Sequence, residues 1–182
     1  KIFYFLLAYW VYIDGVDTVI RMAVNYGLTI GFSSTNLLVG LLVTQFVSFP
    51  GTLMILKMSD LFSIEKAIIF CLLIYLGITY FAYNLYSVQQ FYMIASLIGF
   101  AQGGIQALSR SYFAALVPEN RSSEYFGIYN MLGKFAALLG PILVGLVTFY
   151  TSDSRIGIGS ISIFFILGLI LFKLSNKLRY SG

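Results

Sequence analysis

Six apolar stretches constrain this chain more than any other feature. They lie at about residues 3–24, 35–56, 67–86, 91–113, 125–149 and 156–176. Each is long enough to cross a hydrocarbon core, which takes ~20 residues of α-helix. The strict alternation of apolar and polar residues that marks the strands of a membrane barrel is missing from them. The sequence therefore predicts an all-α membrane protein whose six transmembrane helices form one unit, residues 1–182.

The composition excludes several classes of function. Charged residues make up only 10% of the chain, against roughly 25% in an average soluble domain. There is no histidine, and Cys71 is the single cysteine, so disulfides, imidazole catalysis and the usual metal or haem ligand sets are not expected. The basic residues gather at helix ends, which argues against nucleic acid as a partner. No cofactor is predicted.

The connections between the stretches differ in charge. Lys57 and Lys66 flank the second connection, Arg110 and Arg121 lie at or in the fourth, and further basic residues cluster between 173 and 179. The first and third connections have no basic residue. Because basic loops stay on the cytoplasmic side, we expect a multi-pass protein with both ends of this chain cytoplasmic.

The first stretch carries three charges that lipid cannot solvate. At ~100° per residue, Asp14, Asp17 and Arg21 fall on one face of a helix. Each costs roughly 2.5 to 3.5 kcal/mol at the centre of a bilayer, so this face is predicted to point toward protein or water. Asp17 and Arg21 stand in the order and spacing that favour an ion pair.

Other polar residues lie at similar depth in other stretches. Counting residues inward from the predicted cytoplasmic ends places Asp14, Gln102 and Lys134 near the midplane. The remaining candidates for a solute or proton pathway are Gln45 in the second stretch, Gln106 in the fourth and Asn130 in the fifth. The third and sixth stretches have no internal charge. Helices one, four and five are therefore expected to surround an aqueous cavity.

The same residues permit a purely structural interpretation. Asp14 and Lys134 could form a buried ion pair that holds the helices in register, as buried pairs do in some proteins. Prolines in the second and fifth stretches, at Pro50 and Pro141, favour kinks. Such kinks serve equally well as static bends or as gates.

A short polar connection follows the second stretch. Asp60 in it is a candidate for a cytoplasmic latch, either accepting hydrogen bonds from the start of the fifth helix or pairing with Arg110. A solvated acid in a short loop is the alternative.

Two long segments carry a resemblance to a known family. "YWVYIDGVDTVIRMAVNYG" (9–27) and "GFAQGGIQALSRSYFAALVPENRSSEYFGIYNMLGKFAALLGP" (99–141) resemble the C-terminal half of a major facilitator superfamily transporter, of the vacuole-effluxer-like branch that includes an autophagy-related amino-acid effluxer. The loop at Asp60 is similar to a degraded form of the superfamily's cytoplasmic motif, with Leu61 in place of its arginine.

The resemblance implies a fold and a location. The six helices would be the seventh to twelfth of a twelve-helix fold, and the N-terminal half would be absent from this chain. Its partners would be that missing half, the lipid bilayer, a small-molecule solute and a coupling ion, with H⁺ expected. The location would be a bacterial plasma membrane or, in a fungus, the vacuolar membrane.

These observations lead to one functional hypothesis and two rivals. The hypothesis is half of a secondary active transporter, not an enzyme. It would move a small polar solute such as an amino acid by proton-coupled alternating access. Asp14 would bind a proton or the solute's amine, and Lys134 would be its counter-charge or would bind a carboxylate. One rival is a channel or non-transporting subunit with structural charges; the other is an intramembrane protease using Asp14 and Asp17.

Overall fold

The fold is a bundle of membrane-spanning helices. The computed structural model describes residues 1–136 and 138–180, the last three by their backbone. Six stretches of this described part are long and apolar enough to cross a membrane, and no strand occurs in it. The prediction of an all-α, six-span protein is therefore confirmed. The helices are α1 (Ile2–Thr29), α2 (Ser34–Leu61), α3 (Ile64–Tyr83), α4 (Val88–Ala114), α5 (Ser122–Phe135), α6 (Leu139–Thr151), α7 (Ser154–Gly159) and α8 (Ser162–Tyr180).

Serine side chains mark where three of the long helices begin. The hydroxyl of Ser33 caps α2 and that of Ser63 caps α3, each accepting a backbone N–H three residues further on. Ser87 and Gln90 form a reciprocal capping box at the start of α4. Each cap satisfies backbone N–H groups that have no partner within the helix.

The fifth span is divided into two helices. α5 ends at Phe135, Ala136 is extended with ψ 153°, and α6 begins at Leu139. The sequence predicts one stretch here with a kink at Pro141, and the structure places the interruption just before that proline. Pro141 is the third residue of α6, where its missing N–H costs no helical hydrogen bond; within a continuous helix its ring would clash with the preceding turn.

Helix-breaking residues have different effects on the helices of two other spans. Helix α2 continues through Pro50 as one helix. The sixth span is divided into α7 and α8 after Gly159. A proline in the sequence therefore indicates a possible break, but the surrounding packing decides whether the helix is interrupted.

Glycines bring α2 and α4 into close contact. A Cβ added at Gly51 would lie 2.5 Å from the Cα of Phe100, and one added at Gly99 would lie 2.4 Å from the carbonyl oxygen of Thr44. Both distances are far below van der Waals contact, so only glycine permits this backbone separation. Small residues of this kind are the usual means of close helix packing in lipid.

Helix α1 lies at the centre of the bundle and contacts most of the other helices. The Tyr12 hydroxyl and the Ser109 hydroxyl of α4 are 2.6 Å apart and completely buried. On another side, Gly168 of α8 lies directly against Tyr12, where an added Cβ would be 2.7 Å from the tyrosine Cβ. This packing fixes the rotation of α1, and with it the direction in which each of its charged residues points.

Candidate functional site

A cavity of about 640 Å³ opens between α1, α4 and α5. These are the helices formed by the first, fourth and fifth apolar stretches. The cavity is lined by Tyr9, Ile13 and Asp17 from α1, by Gly103, Gln106, Ala107 and Arg110 from α4, and by Tyr129, Asn130, Gly133 and Lys134 from α5.

An aromatic stack forms one wall of this cavity and joins the three helices. The Tyr129 ring stacks on the Tyr9 ring with centroids 4.1 Å apart and on Phe113 with centroids 4.9 Å apart. Gly133 leaves room for the Tyr9 hydroxyl, since an added Cβ would lie 3.1 Å from that oxygen. Offset stacking of this kind contributes ~0.5–1.5 kcal/mol per pair beyond the burial of area.

The charged groups of the cavity are one acid and two bases. Asp17 is partly buried, whereas Lys134 and Arg110 are exposed. The guanidinium of Arg110 lies over the Phe126 ring, 5.5 Å from its centroid. Together with the amide side chains of Gln106 and Asn130, these groups offer opposite charges and neutral hydrogen bonds to a small polar molecule.

Asp14 does not line this cavity, because its carboxylate turns toward α6. Its oxygens accept hydrogen bonds from the backbone N–H of Gly140 at 2.8 Å and of Leu139 at 3.2 Å. The Thr18 hydroxyl donates a third at 3.3 Å. The residue is only 1% exposed. A carboxylate at this position satisfies the first amides of α6 and complements the positive end of the helix dipole.

The charged pairs considered from the sequence are not formed in this conformation. The single ion pair in the described part of the chain joins Arg121 and Glu124 at 3.1 Å on the surface. Neither Asp14 with Lys134 nor Asp17 with Arg21 comes within ion-pair distance. Lys134 therefore faces the cavity while Asp14 is bound to backbone, which separates the two groups that a buried pair would join.

The other predicted residues lie outside this cavity. Arg21 and Gln45 are exposed on α1 and α2, and Gln102 is partly buried on α4. Asp60 is exposed near the end of α2, and no hydrogen bond or ion pair among the described residues joins it to Arg110 or to the first turn of α5. The latch therefore stays a prediction.

The sequence reasoning missed the aromatic part of the site. Tyr9, Ile13 and Asp17 recur every four residues, which places them on one face of α1. This spacing was a usable signal for Tyr9. Nothing in the sequence links Tyr129 to Tyr9, because their contact depends on how α5 packs against α1.

Comparisons with known proteins relate this chain to one family. The family model described as vacuole effluxer Atg22 like matches residues 1–179. An uncharacterized MFS-type transporter of Bacillus subtilis, YxiO, is 41% identical over 170 residues, which cover 93% of this chain and 40% of that protein. Autophagy-related protein 22 of Vanderwaltozyma polyspora is 30% identical over 187 residues, 96% of this chain and 36% of that protein.

A second yeast relative, autophagy-related protein 22 of Saccharomyces cerevisiae, is 27% identical over 186 residues, 96% of this chain and 35% of that protein. The chain thus spans well under half the length of these relatives. The match nevertheless covers almost all of its own residues and includes both segments that line the cavity. The chain belongs to the vacuole effluxer Atg22-like family of MFS-type membrane transporters.

Proposed function

We propose that this six-helix unit is part of a secondary active transporter and that the cavity between α1, α4 and α5 is its share of the solute pathway. The observation that carries the proposal is the grouping of Asp17, Lys134 and Arg110 around a cavity of about 640 Å³ inside a membrane protein. Ionisable groups within a membrane that face a cavity are a usual feature of solute and proton pathways. The greater length of the relatives supports a second unit that would close the cavity from the other side.

The proposed solute is an amino acid or a related zwitterion. Asp17 would bind its ammonium group, Lys134 would bind its carboxylate, and Gln106 and Asn130 would donate and accept neutral hydrogen bonds. Asp17 takes the role that the sequence suggests for Asp14, because Asp17 lines the cavity and Asp14 is occupied by the amides of α6. The name of the matched family, a vacuole effluxer, favours export toward the cytoplasm in fungal members.

We further propose that transport is coupled to protons through Asp17. A partly buried carboxylate beside a cavity can exchange a proton with water, and its charge state then alters the affinity for a cationic ammonium group. Both ends of this chain would be cytoplasmic, as the distribution of basic residues indicates. In a bacterium we propose that the protein lies in the plasma membrane.

The test is uptake of labelled amino acids by the full-length protein in proteoliposomes with an imposed pH gradient. We expect D17N to lower gradient-driven uptake by about tenfold or more, the factor for loss of a charged hydrogen bond in a desolvated site. The matched control is E119Q, which removes one acidic charge at an exposed position outside the cavity. Similar uptake by D17N and the control would contradict the role of Asp17. An ion-selective current without solute exchange would instead identify a channel.

A further inference from the structure

Helix α6 is held against α1 by contacts that fix both its orientation and its distance from α1. Two of its first amides donate to Asp14. At Gly140 the two helices come so close that an added Cβ would lie 1.7 Å from the Thr18 hydroxyl oxygen and 2.6 Å from the Thr18 Cβ. Hydrogen bonds to an ionised group are roughly twice as strong as neutral ones and depend on direction. Small displacements of α6 relative to α1 would therefore break this contact.

Helix α5, the other half of the same span, is held in a different way. Tyr129 is the only buried residue among the 14 of α5. Its ring lies between those of Tyr9 and Phe113, and both contacts are face-to-face stacks. These contacts of α5 are made through side chains, which can rotate about their own bonds as the helix moves, whereas α6 is held by its own backbone N–H groups. The attachment of α5 thus tolerates motion that the attachment of α6 does not.

The interruption between Phe135 and Leu139 separates these two attachments. Because Ala136 is extended, the helical hydrogen bonds of α5 do not continue into α6 among the described residues, and a tilt of α5 is not carried into α6 through them. The cavity residues Asn130 and Lys134 belong to α5, whereas α6 contributes none of the cavity's lining residues. A swing of α5 about the interruption would change the cavity and leave the contact between α1 and α6 intact.

We propose that Asp14 is a positioning residue that fastens α6 to α1, so that the fifth span bends at its interruption and α5 moves as a separate segment. This inference rests on the proposed function, in which the motion of α5 moves Asn130 and Lys134 relative to Asp17 during transport. The presence of an acidic residue at position 14 is then explained by its contact with α6, and no contact with the solute is required. The carboxyl group of Asp14 offers one acceptor oxygen to each of the two amides, Oδ2 to Leu139 and Oδ1 to Gly140.

The test is a set of spin-label distance distributions in the full-length protein in lipid nanodiscs. Helix α3 packs on α4 and α8 and serves as the reference. Labels at Lys66 and Ser123 report the position of α5, and labels at Tyr80 and Tyr150 report that of α6; all four positions are exposed in this unit. In the wild-type protein we expect a broad or double distribution for the α5 pair and a single narrow one for the α6 pair.

The variant D14N retains the shape of the side chain but loses its charge and replaces one acceptor oxygen with a donor. It should create a second, displaced population for the α6 pair, raising the ratio of displaced to native α6 by about tenfold, because one amide of α6 loses its acceptor and the other bonds to a neutral oxygen. The matched control is D17N, which makes the same change one turn along α1 but leaves the amides of α6 bonded. We expect it to leave the α6 pair unchanged.

Two results would overturn the inference. One is an α6 distribution in D14N identical to that of the wild type. The other, which requires no variant and so decides the matter even if D14N fails to fold, is equal breadth or joint displacement of both pairs in the wild-type protein. Transport is measured separately. Loss of the proposed function would appear as absent solute exchange with these distance distributions intact.

Discussion

Replacing Gly140 by alanine tests the contact between α1 and α6 most directly. The new Cβ would lie 1.7 Å from the Thr18 hydroxyl oxygen, 2.6 Å from the Thr18 Cβ and 2.8 Å from an Asp14 carboxylate oxygen. Rotation of the threonine side chain cannot relieve the contact with its Cβ. Helix α6 must therefore withdraw by about 1 Å or more to restore ordinary contact distances. A withdrawal of that size stretches the 2.8 Å hydrogen bond from the Gly140 N–H to Asp14 beyond the usual limit.

The expected loss of stability follows from these changes. Overpacking costs about 1–3 kcal/mol, and loss of a capping interaction costs about 0.5–2 kcal/mol. Alanine in place of glycine returns about 0.5–1 kcal/mol in a helix. The free energy of unfolding of G140A should therefore fall by about 1–4 kcal/mol.

Gly145 provides the matched control within the same helix. An alanine Cβ there would meet no atom within 4 Å, so G145A should gain about 0.5–1 kcal/mol from its helix propensity alone. The assay is thermal unfolding of the purified full-length protein in detergent, followed by intrinsic fluorescence for both variants. Equal midpoints for G140A and G145A would refute the close contact of α6 with α1.

Two further pairs of substitutions test the rest of the bundle. Y12F removes a hydroxyl that is hydrogen-bonded to Ser109 and should lower the free energy of unfolding by about 1–2 kcal/mol. Y75F removes a buried hydroxyl with no partner in the described part of the chain and should be neutral or stabilising. Equal effects of the two substitutions in unfolding experiments would contradict the role of the Tyr12 hydrogen bond. G99A would force α2 and α4 apart and should cost about 1–3 kcal/mol, while G77A, whose Cβ meets nothing within 4 Å, should stabilise the protein. A G99A protein as stable as G77A would show that the two helices are not in close contact.

The two acidic residues of α1 lie in different surroundings. Asp17 lines the cavity with Lys134 and Arg110, and Asp14 holds the first turn of α6. The two acids are three residues apart on one helix, so their side chains point about 60° apart on the same polar face. Asp14 faces α6 and Asp17 faces the cavity. In the proposed function, a single polar stripe serves both packing and solute contact.

The sequence by itself determined the class of fold and the polar face of α1. Backbone groups in lipid must be satisfied within each segment, so long apolar runs leave helices as the solution. The cost of charge in hydrocarbon fixes the direction of the stripe that contains Asp14 and Asp17. A kink near Pro141 was also predicted, since proline lacks an N–H, but the same reasoning applied to Pro50, where α2 continues as one helix.

Only the tertiary structure decided which groups meet. Asp14 and Lys134 lie at similar predicted depth, yet Asp14 bonds to α6 and Lys134 faces the cavity. That outcome depends on the two free amides that the break in the fifth span exposes beside α1, and on the stacking of Tyr129 against Tyr9. Hydropathy and helical periodicity describe each helix separately. They contain no information on which face of one helix contacts which face of another, and that contact decides which charged groups face the cavity and which are bound to backbone.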